Sequence, residues 1–184
     1  MDLSNRIALV AGGTGGLGRA ITLEFLEADA RVVVTYRRLS EYDSLAAEAG
    51  SSRKRLSGAS LDVTDEAAVK QLVSRILAEQ SRLDILVNTV GGYAGGSNLW
   101  ETDAKTYDQM MNLNLKAGFV MARAVVPVMI RQSRGWIVNV ASKAAFGHSP
   151  GAALYSASKA AALALFDSLA EEVKPYPINI NSII

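Results

Sequence analysis

The run Ile7-Ala-Leu-Val-Ala11 is apolar at every position and passes directly into Gly12-Gly-Thr-Gly-Gly-Leu-Gly18. A strand with one wet face alternates apolar and polar residues. An unbroken apolar run belongs to a strand covered on both faces, as in a parallel sheet. Beyond the glycines, Ile21, Leu23, Phe25 and Leu26 recur at helical spacing within Arg19 to Ala28. Strand, glycine turn, helix is the context that a phosphate-binding fingerprint requires. Backbone without side chains can approach a pyrophosphate, and the helix N-terminus offers free N–H groups and the positive end of its dipole. Two parses fit: Gly13, Gly15 and Gly18 as G-x-G-x-x-G, or Gly12, Gly16 and Gly18 as G-x-x-x-G-x-G.

Arg31-Val-Val-Val-Thr-Tyr36 completes a βαβ unit. In a dinucleotide fold the end of this second strand faces the adenosine ribose, about 20 residues past the glycines. An acidic residue there would accept a hydrogen bond from a ribose 2′-hydroxyl. This chain instead reads Tyr36-Arg37-Arg38, and guanidinium groups suit a 2′-phosphate. NADP(H) is therefore the expected cofactor, with NAD(H) as the alternative and Arg37 the favoured reader.

The alternation continues. Ser40 to Ala49 reads as a helix, and Arg55 to Leu61 as a polar strand near the sheet edge. Asp65 or Thr64 is set to cap a helix from Glu66 to Glu79. Leu83 to Asn88 reads as a fourth strand, and the loop from Gly91 to Gly96 holds four glycines. Asp103 to Arg131 has helical periodicity, with Pro127 expected to bend or break it. Asn112 and Asn114 are poor helix formers in mid-pattern, the kind of local conflict found at functional sites. Trp136 to Ala141 reads as a fifth strand, Ala152 to Val173 as a helix, and the segment from Pro175 begins a sixth strand. Such a pattern implies one α/β domain over 1–184, a doubly wound parallel sheet with its ligand crevice at the strands' C-terminal ends.

A net charge of +1 and the lack of a basic face argue against nucleic acid as a partner. With no cysteine and a single histidine, His148, neither a thiolate nucleophile nor a Cys- or His-ligated metal is expected. No signal-peptide pattern and no apolar run of bilayer length stand out, so a cytoplasmic protein without a membrane partner is expected.

Ser142 follows the fifth strand, and Tyr155-Ser-Ala-Ser-Lys159 follows in turn. On a helix Tyr155 and Lys159 share one face, one turn apart. A protonated amine beside a phenol favours the phenolate, which suits a tyrosine to general acid–base work near neutral pH.

Together these residues resemble the short-chain dehydrogenase/reductase family over essentially the whole chain. Ala11 to Gly18 is similar to its T-G-x-x-x-G-x-G turn, which selects the second parse and implies cofactor contacts from Gly12, Thr14, Gly15, Gly16, Leu17 and Gly18. Tyr36, Arg37 and Arg38 then face the adenosine ribose. Asp62-Val63 resembles the element that holds the adenine, and Asn88-Thr-Val-Gly91 resembles N-N-A-G. Asn114, Ser142, Tyr155 and Lys159 match the family's catalytic set, and Tyr155 and Lys159 also contact the cofactor in the family. Ala11 in place of Thr, and Thr89-Val90 in place of Asn-Ala, depart from the pattern.

The resemblance implies a Rossmann fold, hydride transfer between NADP(H) and a small carbonyl or secondary alcohol, and a homodimer or homotetramer. Family members continue beyond the equivalent of Ile184 with a substrate-covering segment and a further strand. The expectation is therefore a family fold lacking its C-terminal part, in a fragment or a genuinely short protein. A non-catalytic NAD(P)-binding regulator or an inactive truncated form is the alternative function.

Overall fold

The computed structural model describes residues 2–184. Its strands are β1 (Ile7–Ala11), β2 (Arg31–Tyr36), β3 (Leu56–Ser60), β4 (Ile85–Asn88), β5 (Gly135–Val140) and β6 (Ile178–Ile183). The helices are α1 (Gly16–Glu27), α2 (Leu39–Glu48), α3 (Glu66–Gln80), α4 (Ala104–Met111), α5 (Ala117–Gln132) and α6 (Ala153–Glu172). All six strands lie in one sheet of order β3-β2-β1-β4-β5-β6, and every neighbouring pair is parallel. The order reverses between β1 and β4, which places a crevice above the C-terminal end of β1.

The apolar run of β1 is explained by packing on both faces. Ala8 and Val10 join Leu26 of α1 and Leu45 of α2 in one core cluster. Ile7, Leu9 and Ala11 join α3, α5 and α6 through Val69, Val73, Val125, Met129 and Phe166 in the other. As expected, β3 is an edge strand. Asp65 caps α3, accepting from the N–H groups of Ala67 and Ala68 at 2.9 and 3.1 Å.

Of the bend or break expected at Pro127, the break does not occur, since α5 continues through it to Gln132. Also, Ala104 to Gln132 forms one 29-residue helical stretch with an 18-residue window of mean hydropathy 1.5, long and apolar enough to cross a bilayer. Much of its apolar side faces inward, with Met110, Ala117, Val120, Met121, Val125 and Met129 all buried, whereas Tyr107 and Phe119 are exposed. Between α4 and α5, residues Asn112–Lys116 form a turn of π-helix, closed by the Ala117 N–H on the Asn112 carbonyl. A widened turn of this kind often marks a functional position in a helix. Of the two asparagines in it, Asn114 is buried and Asn112 exposed.

Candidate active site

The glycines after β1 divide by what each one serves. Gly12 adopts φ of +75°, which favours glycine. A Cβ on Gly18 would stand 2.2 Å from the Gly12 carbonyl oxygen, and one on Gly13 would stand 2.4 Å from Val34 Cγ1. The fold itself needs these three. A Cβ on Gly16 would meet nothing within 4 Å. Gly15 is the N-cap of α1 and supplies no side-chain cap, and the first turn of α1 has no acidic residue. The leading N–H groups of α1 are therefore left for an external anion. The bare, open backbone at Gly16 fits a pyrophosphate.

A cleft of about 490 Å³ opens beside this turn. Gly12, Thr14 and Gly15 form one wall, Tyr36, Arg37, Arg38 and Glu41 one end, and Val63, Val90, Gly91 and Leu113 another wall. Of the residues expected to hold the cofactor, Gly12, Thr14, Gly15, Tyr36, Arg37, Arg38, Val63 and Gly91 line it. Gly16, Leu17, Gly18, Asp62, Asn88, Tyr155 and Lys159 are not among its lining residues, and the Asn88 amide donates to Asn139 Oδ1 at 3.0 Å, joining β4 to β5.

Both arginines of the cleft meet carboxylates. Arg37 Nη2 lies 3.0 Å from Asp62 Oδ2. Arg38 binds Glu41 Oε1 through Nε at 2.8 Å and through Nη2. The other Glu41 oxygen accepts from the Thr14 hydroxyl at 3.1 Å. The Asp62 carboxyl is held below its ordinary range first by the Thr64 N–H, then by the Thr64 hydroxyl and the Arg37 cation. Glu41 is also lowered, chiefly by its hydrogen bond from Arg38. The sequence reading assigned Glu41 no role.

The catalytic candidates converge from three elements. β5 delivers Ser142, whose Oγ accepts from the Ala144 N–H at 3.2 Å and caps a short 3₁₀ turn, Lys143–Ala145. The serine O–H remains free to donate. On α6, Tyr155 is half-buried and Lys159 buried. The Lys159 amine donates to the Val140 carbonyl at 3.0 Å, which ties α6 to the strand end that carries Ser142. Burial pushes this amine below its ordinary value of 10.5.

Asn114 holds the third side. Its Oδ1 accepts from the Gly92 N–H at 2.9 Å, and its Nδ2 donates to the Gly92 carbonyl at 3.0 Å and to Ser158 Oγ at 2.9 Å. The Ser158 hydroxyl donates in turn to the Tyr155 carbonyl at 2.8 Å. The π turn thus clamps the loop after β4 to the helix turn that presents Tyr155. Gly91 must lack a side chain here, because a Cβ would stand 2.9 Å from Asn114 Oδ1 and 3.2 Å from Lys159 Nζ.

Tyr93, which the sequence reading left in a loop, packs edge-on against Tyr155 with ring centroids 5.0 Å apart at 75°. Its loop docks through the Gly96 N–H on the Gly151 carbonyl at 2.9 Å. His148 and Lys143 are exposed.

The short chain dehydrogenase family model matches residues 6–184. A 3-oxoacyl-[acyl-carrier-protein] reductase of Thermotoga maritima is 32% identical over 183 residues, covering 100% of this chain and 74% of that protein. An NADP-dependent 3-hydroxy acid dehydrogenase of Escherichia coli K12 is 34% identical over 154 residues, covering 84% of this chain and 61% of that protein. Among solved structures, serine dehydrogenase from Escherichia coli superposes with a TM-score of 0.89 at 30% identity, covering 96% of this chain and 80% of that one. A metagenomic short-chain oxidoreductase in complex with NADP gives 0.92 at 30% identity, covering 98% and 81%. The chain belongs to the short-chain dehydrogenase/reductase family.

Proposed function

We propose that residues 1–184 form one NAD(P)-binding domain that reduces a small carbonyl compound, or oxidises the corresponding secondary alcohol, with NADP(H) preferred. The observation that carries this reading is the buried Lys159 amine, one helical turn from Tyr155 and fastened to the strand end that presents Ser142.

When bound, the nicotinamide supplies or takes up the hydride. In the reducing direction, Ser142 donates a hydrogen bond to the substrate carbonyl oxygen, and the Tyr155 phenol gives that oxygen its proton. The Lys159 cation stabilises the phenolate that remains. Asn114 serves the site by clamping Gly92 and Ser158, and so positions Tyr155. The same π turn is where a water would connect Lys159 to solvent. Gly15, Gly16, Leu17 and Gly18 hold the pyrophosphate, Val63 the adenine, and Arg37 and Arg38 the ribose 2′-phosphate. Tyr93 forms a wall of the substrate site against Tyr155.

The absence of an acid at the end of β2, and the NADP named for several relatives, support the cofactor preference. The partner is a small molecule and the compartment cytoplasmic. An apolar groove of about 640 Å³ between α5 and α6, lined by Phe119, Val126, Ala164 and Leu165, supports a homodimer or homotetramer. Light scattering reads that directly.

The test is turnover of NADPH with a panel of carbonyl compounds, with 3-oxoacyl and 3-hydroxy acid derivatives first because two relatives are named for them. Tyr155→Phe should lower turnover at least 10³-fold and leave NADPH affinity within about twofold. Turnover equal to the parent's would sink the assignment. Cofactor binding without turnover of any compound would favour a non-catalytic regulator.

A further inference from the structure

The ribose end of the cleft carries four formal charges that sum to zero: Arg37 and Arg38 against Asp62 and Glu41. The two acids are held differently. Asp62 accepts from the Thr64 N–H at 2.9 Å and the Thr64 hydroxyl at 2.8 Å, so it closes the turn leading to α3 whether or not Arg37 is present. The Glu41 carboxylate, among the described residues, bonds only Arg38 and Thr14, and both of those line the cleft. Its carboxylate stands between the glycine turn and a guanidinium, where an incoming phosphate needs a cation and a hydroxyl donor. A second anion there must displace it or be repelled by it. A ribose carrying a 2′-hydroxyl can instead donate to it.

We propose that Glu41 sets the cofactor selectivity of this protein, competing with the 2′-phosphate of NADP(H) for Arg38 and Thr14 and so narrowing its preference over NAD(H). The proposal rests on the reading of this cleft as a nicotinamide dinucleotide site. Selectivity then depends on a half-buried side chain in the first turn of α2, not on a residue at the end of β2. The arginines alone overstate how strongly the chain distinguishes the two cofactors.

The test is fluorescence titration of the full chain with NADPH and with NADH. It compares the parent, Glu41→Gln, Arg38→Gln and the double variant. Glutamine keeps the size of Glu41 and an oxygen for the Thr14 hydroxyl but removes the charge. NADPH should bind Glu41→Gln about tenfold more tightly than the parent, while NADH affinity stays level or falls. In the Arg38→Gln background the same change should yield less than about threefold, because no guanidinium is released. Three results would overturn the proposal: a selectivity ratio unchanged in Glu41→Gln, both cofactors tightening equally, or the full gain persisting without Arg38. If no variant binds either cofactor, the cleft itself has been misread. That outcome is distinct from binding with unaltered selectivity.

Discussion

Gly16 and Gly18 belong to one glycine motif, yet the structure predicts opposite behaviour when each becomes alanine. At Gly18 the new methyl group would stand 2.2 Å from the Gly12 carbonyl oxygen and 2.7 Å from Thr89 Oγ1. Thr89 can rotate, but Gly12 is main chain and is held by the Thr35 hydroxyl at 2.9 Å. The turn and α1 must separate, an overpacking cost of about 3 kcal/mol. For a chain of this size that lowers Tm by about 6–12 °C. At Gly16 the methyl group enters open space, at the first position of α1. Alanine there costs the fold nothing and contributes up to about 0.5 kcal/mol of helix propensity. It does, however, stand where a pyrophosphate approaches the backbone. Gly16→Ala should unfold at the parent's Tm or slightly above and bind NADPH at least tenfold more weakly. Gly18→Ala should lose stability even without cofactor. Thermal unfolding of the cofactor-free chain, paired with fluorescence titration, reads both. Unaltered NADPH binding by Gly16→Ala would refute the cradle, and an unchanged Tm in Gly18→Ala would refute the close approach.

Asn114→Ala removes three hydrogen bonds and should cost about 2–3 kcal/mol, partly recovered where water reaches Gly92. Urea denaturation should show this loss while Tyr155→Phe unfolds like the parent; equal midpoints would remove Asn114 from the clamp. Burial holds the Lys159 amine below 10.5, so just under that pH the unfolded chain binds more protons than the folded one. Stability should therefore rise with pH across that window, and the contribution should be lost as pH falls through the folded value. Comparing urea midpoints of the parent and Lys159→Met from about pH 8 to 10.5 checks the sign. A difference that stays flat or falls with pH would show that the amine is not desolvated.

What could be read along the chain was whatever depends on neighbours in sequence. Ile7 to Ala11 announces a strand covered on both sides because each residue carries its own burial requirement, and β1 meets a core cluster on either face. Tyr155 and Lys159 are one helical turn apart, so their pairing is a local property. Asn114 conflicted with its helix, and the structure resolves the conflict with a π turn that turns its amide inward onto Gly92 and Ser158. Glu41, by contrast, looks like any acid in the first turn of a helix. Its bond to Thr14 spans 27 positions and exists only once β2 lies beside β1. Tyr93 was equally hidden, because its ring reaches Tyr155 through a docked loop whose glycines signal only the absence of regular structure. The long helix from Asp103 to Arg131 was legible, but not its bilayer-length apolar window, because polar and charged residues such as Asn114 and Arg123 break the apolar run in sequence.

Lys159 joins these strands of reasoning. Removing an ammonium from water costs several kcal/mol unless a counter-charge or full hydrogen bonding offsets it. Here desolvation lowers its proton affinity, and the Val140 carbonyl is its only hydrogen-bond partner among the described residues. Stability alone would not select a buried ammonium for this position. The surroundings are instead arranged to keep the amine in place. Gly91 gives up its side chain to make room, Asn114 pins the adjoining loop, and β5 offers a carbonyl. Three separate elements support one energetically unfavourable side chain, and its remaining N–H groups are left to donate to whatever binds. A purely structural role accounts for the tie to Val140 but not for the choice of a desolvated charge to make it, and the proton-handling role proposed for Lys159 beside Tyr155 accounts for both.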